Sequence, residues 1–392
     1  MLRFLTAGES HGKCLTSILE GIPAQLVLSG KDIDQELIRR QGGYGRGKRM
    51  AIEHDRVEIT SGVRLGKTLG SPITMVIKNK DWDNWKKLMA IELVGKGSQN
   101  AVTNPRPGHA DLAGALKYGF NDIRNILERA SARETAARVA VGAVCKKLLS
   151  EFKIKIYSRT VQVGHIKDSG DFQPSPASLK LIESSPVRCL SKDAAEKMMK
   201  LINEARKKGD SLGGVFEIAA VNMPVGLGNH IQWSLRLDGR LAQALMSIQS
   251  VKGVEIGMGF EAARKFGSQV HDRIYYQKNT NSAKGGRFYH KTNHAGGLEG
   301  GITNGEDIVL RAAVKPIATL TKPLASVDII TKKAVEANVQ RSDISVVPAA
   351  GVVGEAMVAF EIASAMREKF GGDSLAEMKK NYSSYMDYVR GR

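Results

Sequence analysis

Apolar and polar positions along this 392-residue chain follow two periods, one of about two residues and one of about 3.6. Short runs rich in β-branched residues at Val57 to Val63, Ile73 to Ile77 and Val215 to Val221 predict strands. Longer amphipathic stretches predict helices, the first from Lys31 to Arg40. A second, Ala-rich, runs from Ser131 to Leu149, with Lys146 and Lys147 where they suit the negative end of the helix dipole. Ser191 to Lys208 follows, with Ser191 as its cap and Gly209 as its stop. A further helix comes after Gly354 and ends before Gly371 and Gly372. The chain therefore mixes α and β structure, and periodicity leaves the strand order open. The stretch from Asp168 to Asp210, rich in Lys, Ser and Pro, reads as a surface excursion and not as a second domain.

Composition changes this picture little, and charge changes it more. Hydrophobic residues at 42% and charged residues at 25% are those of an ordinary globular chain, so disorder is not the default. Lys and Arg total 58 against 40 acidic residues, a net +18 that implies an anionic partner: nucleic acid, a membrane surface or acidic metabolites. Cys14, Cys145 and Cys189 lie far apart without a CxxC, which argues against a disulfide framework and a zinc site. All three are expected reduced and mostly buried. The first residues lack the apolar run of a signal peptide, and no stretch reaches the ~20 uninterrupted apolar residues of a spanning helix. The expected compartment is the cytoplasm, with no membrane partner.

Three segments imitate known ligand-binding motifs. Gly8 to Cys14 imitates a P-loop, but its glycines are one residue too close and Cys14 replaces the magnesium-binding hydroxyl. Gly257 to Ala262 matches GxGxxA without the acidic residue that would close a dinucleotide site, so a turn is the simpler reading. The segment from Arg39 to Arg49, GGYGRGKR after two arginines, resembles basic glycine-rich segments that bind RNA. It reads equally as a solvated basic loop, or as an ordered loop whose arginines converge on a small anion.

Five segments join glycine to ionisable groups. Gly8 to Gly12, GESHG, sets Ser10 and His11 between glycines that let backbone approach a ligand. The Arg39 to Arg49 loop offers guanidinium forks that match carboxylate and phosphate oxygens. Arg106 to Asp111 carries His109 between Arg106 and Asp111, the best placed of the histidines for proton transfer. Arg129 to Thr135 opens the Ala-rich helix, and arginines at a helix's positive end call for a compensating negative ligand. Arg341-Ser342-Asp343 precedes a long apolar run, where Asp343 could accept a proton beside cations. By themselves these segments define an Arg-rich, His-containing site for a polyanion.

Together they closely resemble the chorismate synthase family. The matching segments are GESHG, RRQGGYGRGKRM, RPGHADL, RASARETAARVAVGA, SLGG, SIQSVKGVEIG, NHAGGLEGGITNGE, KPIATL and RSDISVVPAAGVVGEAMVA, in the family's order from residue 8 to about residue 360. The resemblance implies an α+β fold, a single-domain β-α-β sandwich over residues 1–392 with helices between antiparallel sheets, assembled as a homotetramer. It implies a lyase: anti-1,4 elimination of phosphate from 5-enolpyruvylshikimate 3-phosphate to give chorismate, with reduced FMN (FMNH2) as cofactor and no metal. NADPH is expected as an indirect reductant, or a direct one in self-reducing members. No added segment could form a reductase domain, so a separate flavin reductase is expected as partner, and nucleic acid is not.

The resemblance also assigns positions. His11 and His109 match the family's active-site histidines, the first serving the departing phosphate and the second the flavin's protonation state; Asp343 matches the aspartate that assists deprotonation at flavin N5. Arg40, Arg46, Arg49, Arg106, Arg133 and Arg341 match the anion-binding arginines, with Arg40 and Arg46 also associated with NADP. Flavin-contacting positions are Arg129, Ala130, Ser131, Gln249, Ser250, Gly300, Lys315, Pro316, Ile317, Ala318, Thr319 and Arg341, with Lys315 and Thr319 suited to the FMN phosphate.

Overall fold

The computed structural model describes residues 2–47, 53–92, 101–170, 172–277, 288–339 and 342–392. Two antiparallel sheets dominate it. The first runs in the order Arg3–Ala7, Cys14–Glu20, Ile73–Lys78 and Val57–Ile59; the second runs Val251–Ile256, Ile308–Val314, Gly214–Val221, Lys155–Val163 and Ile166–Lys167. Alternation sets the inner face of the first sheet: Leu15 pairs with Ile77, Ser17 with Met75 and Leu19 with Ile73, and all six are buried. Helices Gly30–Gln41 and Thr135–Ser150 cover that face, while Val347–Phe370 and Leu237–Met246 cover the second sheet. The two long helices pack on each other at the centre, so the helices lie between the two antiparallel sheets, as expected of the β-α-β sandwich.

Several sequence expectations need adjustment. The strand begun at Val57 stops at Ile59, because Gly62 turns at φ 81° into a separate short pairing of Val63–Arg64 with Lys67–Thr68. The Ala-rich helix proper starts at Thr135; Ser131 caps a 3-10 turn, Ala132–Glu134, ahead of it. The late helix begins at Val347, seven residues before the expected glycine. Lys192–Lys208 is capped by Ser191 and closed by Gly209 as expected. Its Met198 and Ile202, with Val187 and Cys189, belong to the main core, so Asp168 to Asp210 is more than a surface excursion. Cys14, Cys145 and Cys189 are free thiols, the last two buried.

Gly142 shows why the central helices can touch. A Cβ built there would lie 2.2 Å from the Ala356 Cβ and 2.4 Å from its Cα, far inside the ~3.5–4 Å of carbon contact. Gly142→Ala would gain about 1 kcal/mol of helix propensity and lose about 1–3 kcal/mol to overpacking. Backbone cannot rotate away, so the loss should win and the melting temperature should fall. An unchanged or higher melting temperature would show that the helices separate freely.

The Val347–Phe370 helix is long and apolar enough to cross a membrane by length and composition, yet 89% of its most apolar window is buried inside the protein. It carries one fully buried charge, Glu355. Arg39 clamps that carboxylate at 2.7 and 2.9 Å, Ser158 donates at 2.5 Å, Arg188 stands at 3.4 Å, and Lys146 completes the ion pairs. Arg39 and Arg40 are adjacent on one helix, so their side chains diverge by about 100°. Arg39 therefore serves this internal network and does not join the other arginines of its loop.

Candidate functional site

The GESHG segment is the turn between the first two strands, Arg3–Ala7 and Cys14–Glu20. Gly8, at φ 107°, is required there: a Cβ would sit 2.3 Å from the Cys14 carbonyl oxygen. No helix follows this turn, which removes the P-loop reading. His11 projects from it against Glu128, its Nδ1 at 2.9 and 3.0 Å from the two carboxylate oxygens, and its ring stacks on Trp85. Arg129 ties the preceding strand to the same helix end by donating to the carbonyls of Thr6 and Gly8.

Asn79, just past the strand Ile73–Lys78, joins this turn to the arginines. Its amide donates to the carbonyls of Glu9 and Gly12, and its oxygen accepts from Arg133 Nε at 2.9 Å. Arg133 also clamps Asp55 through two 2.7 Å contacts and stands 3.6 Å from Glu53. Its Nη2 is buried without a hydrogen-bond partner among the described residues. Arg40 reaches the same Asp55 at 3.4 Å and donates to Thr135 and Ala132. Burial dominates at Arg40 and pulls its guanidinium down to about 9; Asp55 opposes the shift, Arg133 and Arg46 add to it, and Asp343 opposes it. Asp343 pairs with Arg46 at 3.1 Å and accepts the Gly47 amide. Contrary to expectation, Arg133 at this helix start does not depend on a ligand for its counter-charge: Asp55 and Glu53, from a segment without a signature, already compensate it.

A second cluster forms around the RPGHAD turn. Arg106 grips buried Asp111 through its backbone amide, Nε and Nη2, and sends Nη1 to the Thr319 hydroxyl at 2.8 Å. His109 Nδ1 lies 2.5 Å from Asp111 Oδ1, the oxygen that Arg106 Nη2 also reaches. An ionised carboxylate only accepts, so this nitrogen carries the ring proton. Burial alone would raise the Asp111 carboxyl; the hydrogen bonds from His109 and Arg106 hold it well below the usual range instead. Lys315 donates to the Gly108 carbonyl at 2.9 Å, and burial beside Lys252 lowers its ammonium. Within the same segment, the Ile317 carbonyl accepts from Ser211 of the SLGG motif. A Cβ on Gly108 would touch Ala318, and one on Gly213 would collide with Pro316.

Gln249 and Ser250 join the two clusters. The Gln249 amide donates to Glu134, which also holds Thr6 and Arg138, while the Ser250 carbonyl receives the Lys315 backbone amide. Gln249 Oε1 is left buried without a hydrogen-bond partner among the described residues. Ala130 and Ser131 end the Glu128 helix, and the Ser131 hydroxyl accepts the Arg133 amide. Gly300 lies in the hairpin turn between Leu298–Glu299 and Ile302–Thr303, where a Cβ would have His230 as its nearest neighbour. Arg49 and Arg341 lie outside the described residues.

The rival motifs fare poorly in this setting. Gly257 turns from one antiparallel strand into a 3-10 helix, not into a βαβ unit. Tyr44 of the basic loop is held by Asn203 at 2.9 Å under Arg206, so its ring is already engaged.

A family model described as chorismate synthase matches residues 2–366. The chain belongs to the chorismate synthase family. The chorismate synthase of Aquifex aeolicus (strain VF5) is 58% identical over 99% of this chain and 98% of its own length. That of Geotalea uraniireducens (strain Rf4) is 55% identical over the full length of both. A solved structure described as a crystal structure of chorismate synthase superposes with a TM-score of 0.79 at 48% identity, covering 100% of this chain and 99% of the other. Membership makes the chain an enzyme of the lyase class, and the α+β sandwich is the fold of its solved relative. Glu128, Trp85, Asn79 and Asp55 escaped the sequence reading because nothing in one sequence sets them apart from ordinary surface or helix residues, while Glu134 lies inside the RASARETAARVAVGA segment but was given no role.

Proposed function

We propose that the chain eliminates phosphate from 5-enolpyruvylshikimate 3-phosphate in the anti-1,4 sense to give chorismate, with reduced FMN as cofactor. The observation that carries this reading is the gathering of Arg40, Arg46 and Arg133 around Asp55 and Asp343, with the fully buried Arg40 drawn down to about 9, first by burial and then by its arginine neighbours. It remains charged at neutral pH, and an arriving anion would relieve it. Two carboxylates and a phosphate suit Arg40, Arg46, Arg106 and Arg133, with Arg49 and Arg341 as further candidates.

The residues also fit the flavin. Gln249 Oε1 is a buried acceptor in want of a donor, and Lys315 next to Lys252 would gain from a phosphate. Arg129 to Ser131, Gln249, Ser250 and Lys315 to Thr319 would hold it, and Gly300 would join only from its separate hairpin. Thr319 already accepts from Arg106, so its hydroxyl would have to share that bond. The chemistry that reduced FMN would supply there, when bound, is reversible electron donation, which would leave the elimination redox-neutral. His11 would give a proton from Nε2 to the departing phosphate. His109, oriented by Asp111, would hold a proton beside the cofactor, and Asp343 would accept one at its carboxylate.

The same reading takes residues 1–392 as one catalytic domain, working in the cytoplasm with a separate flavin reductase and NADPH as its indirect electron source. The homotetramer is carried over from the family resemblance, and exposed apolar side chains, among them Ile231, Trp233, Phe266 and Phe288, would offer it contact surface. The test is an anaerobic assay with 5-enolpyruvylshikimate 3-phosphate and chemically reduced FMN. Chorismate and phosphate should appear in equal amounts, without net flavin oxidation. Product formed only with stoichiometric flavin oxidation would make the chain an oxidoreductase, and a folded protein that forms none would end the proposal.

A further inference from the structure

His11 is held more completely than a lone turn histidine needs to be. Glu128 is 2% exposed, on the helix Arg124–Ala130, and it engages the turn three times. Its carbonyl accepts the Ser10 amide at 3.0 Å, its Oε2 accepts the His11 amide at 2.8 Å, and both carboxylate oxygens meet Nδ1. Trp85 lies on the ring face with centroids 3.8 Å apart and planes 21° apart. Trp85 is itself fixed, its Nε1 donating to Asp81 at 3.0 Å and its ring lying 5.6 Å from the Arg124 guanidinium. One residue thus fixes the edge of the imidazole and another its face. Among the described residues no hydrogen bond reaches Nε2.

From these contacts we propose that Glu128 and Trp85 are positioning residues for His11, holding it as the Nδ1–H form with Nε2 turned to the leaving phosphate. The proposal rests on the reading of His11 as the phosphate's proton donor. An ionised carboxylate can only accept, so a proton must stay on Nδ1 in both the cationic and the neutral ring. When the C–O bond to phosphate breaks, the bonding pair leaves with the phosphate oxygen and takes the Nε2 proton. The imidazolium becomes a neutral imidazole that is still bonded to Glu128 through Nδ1–H. The carboxylate stabilises the cation before transfer and prevents the opposite tautomer after it, as in other carboxylate–histidine pairs. Stacking on Trp85 blocks rotation about the remaining side-chain torsion.

The test joins kinetics to a spectroscopic reading of the ring. Glu128→Gln keeps the side-chain shape, and Trp85→Phe keeps a stacking face where Trp85→Ala removes it. Glu128→Gln and Trp85→Ala should each lower kcat about 10- to 100-fold with KM within a few fold, the loss expected for a misplaced group, and Trp85→Phe should recover most of the activity. In a His11→Ala background, Glu128→Gln should cost nothing further, because it acts through the missing ring. Nitrogen-15 NMR of histidine-labelled protein, with His11 assigned by its loss in His11→Ala, should show the Nδ1–H tautomer in wild type. A slow His11→Ala with full kcat in Glu128→Gln would overturn the pairing, as would additive losses in the double variant. An Nε2–H tautomer in wild type would overturn it independently of turnover. Full kcat in His11→Ala would instead remove the proton-donor role of His11, leaving the NMR result to judge the pairing alone.

Discussion

Replacing Asp343 by Asn should leave FMN binding within a few fold of wild type and lower turnover by about 10²–10⁴-fold, the range general acid–base groups contribute. Asp343 has two separable duties. Its Oδ1 accepts the Gly47 amide and its Oδ2 faces Arg46 at 3.1 Å, so it pins the arginine loop. The loop is also pinned without it, because the Ile344 amide donates to the Gly45 carbonyl and the Leu212 amide to Ile344. Asn keeps an acceptor oxygen for Gly47 and nearly the same shape, so the loop should stay in register. What it cannot do is take up a proton. Binding titrations and single-turnover rates separate the two duties: intact binding with a collapsed rate supports the proton-acceptor role, and wild-type turnover ends it.

Glu355→Gln should be the most destabilising change far from the site, at about 3–5 kcal/mol, because it leaves buried cations without their counter-charge. Burial alone would raise the Glu355 carboxyl; Arg39, Lys146 and Arg188 overcome it and hold the group far below the usual carboxylate range. The sign follows from that depression. The contribution is complete above the unfolded value of about 4.3 and is lost as pH falls below it. Denaturation midpoints of wild type and Glu355→Gln should therefore differ most near neutrality and converge as pH drops from about 5 towards 2. A difference independent of pH would place the effect in packing and not in charge.

The two predictions probe different kinds of information in the chain. Periodicity and capping residues located the helices closely where local chemistry decides them, as at Ser191 and Gly209. They failed where tertiary contact decides. The Val347–Phe370 helix runs through Gly351 and Gly354, poor helix formers, because a Cβ at Gly351 would crowd Ser158 and one at Gly354 would strike Phe216 and Ile218, all on the second sheet. Strand order was equally hidden, since alternation fixes which face is buried and not which neighbour is paired.

At the site, the sequence alone determined the inventory: glycine turns bearing His11 and His109, arginines able to grip a polyanion, and a motif order that marks the family. The tertiary structure decided how those groups are wired. It brought Asp55 between Arg40 and Arg133, set Glu128 and Trp85 on two sides of His11, turned Arg39 away to Glu355, and left Gly300 in a separate hairpin. The reason is physical. Charge and side-chain type are local properties written residue by residue, whereas the partner that neutralises a buried charge or orients a ring is chosen by contacts between segments as much as 316 residues apart.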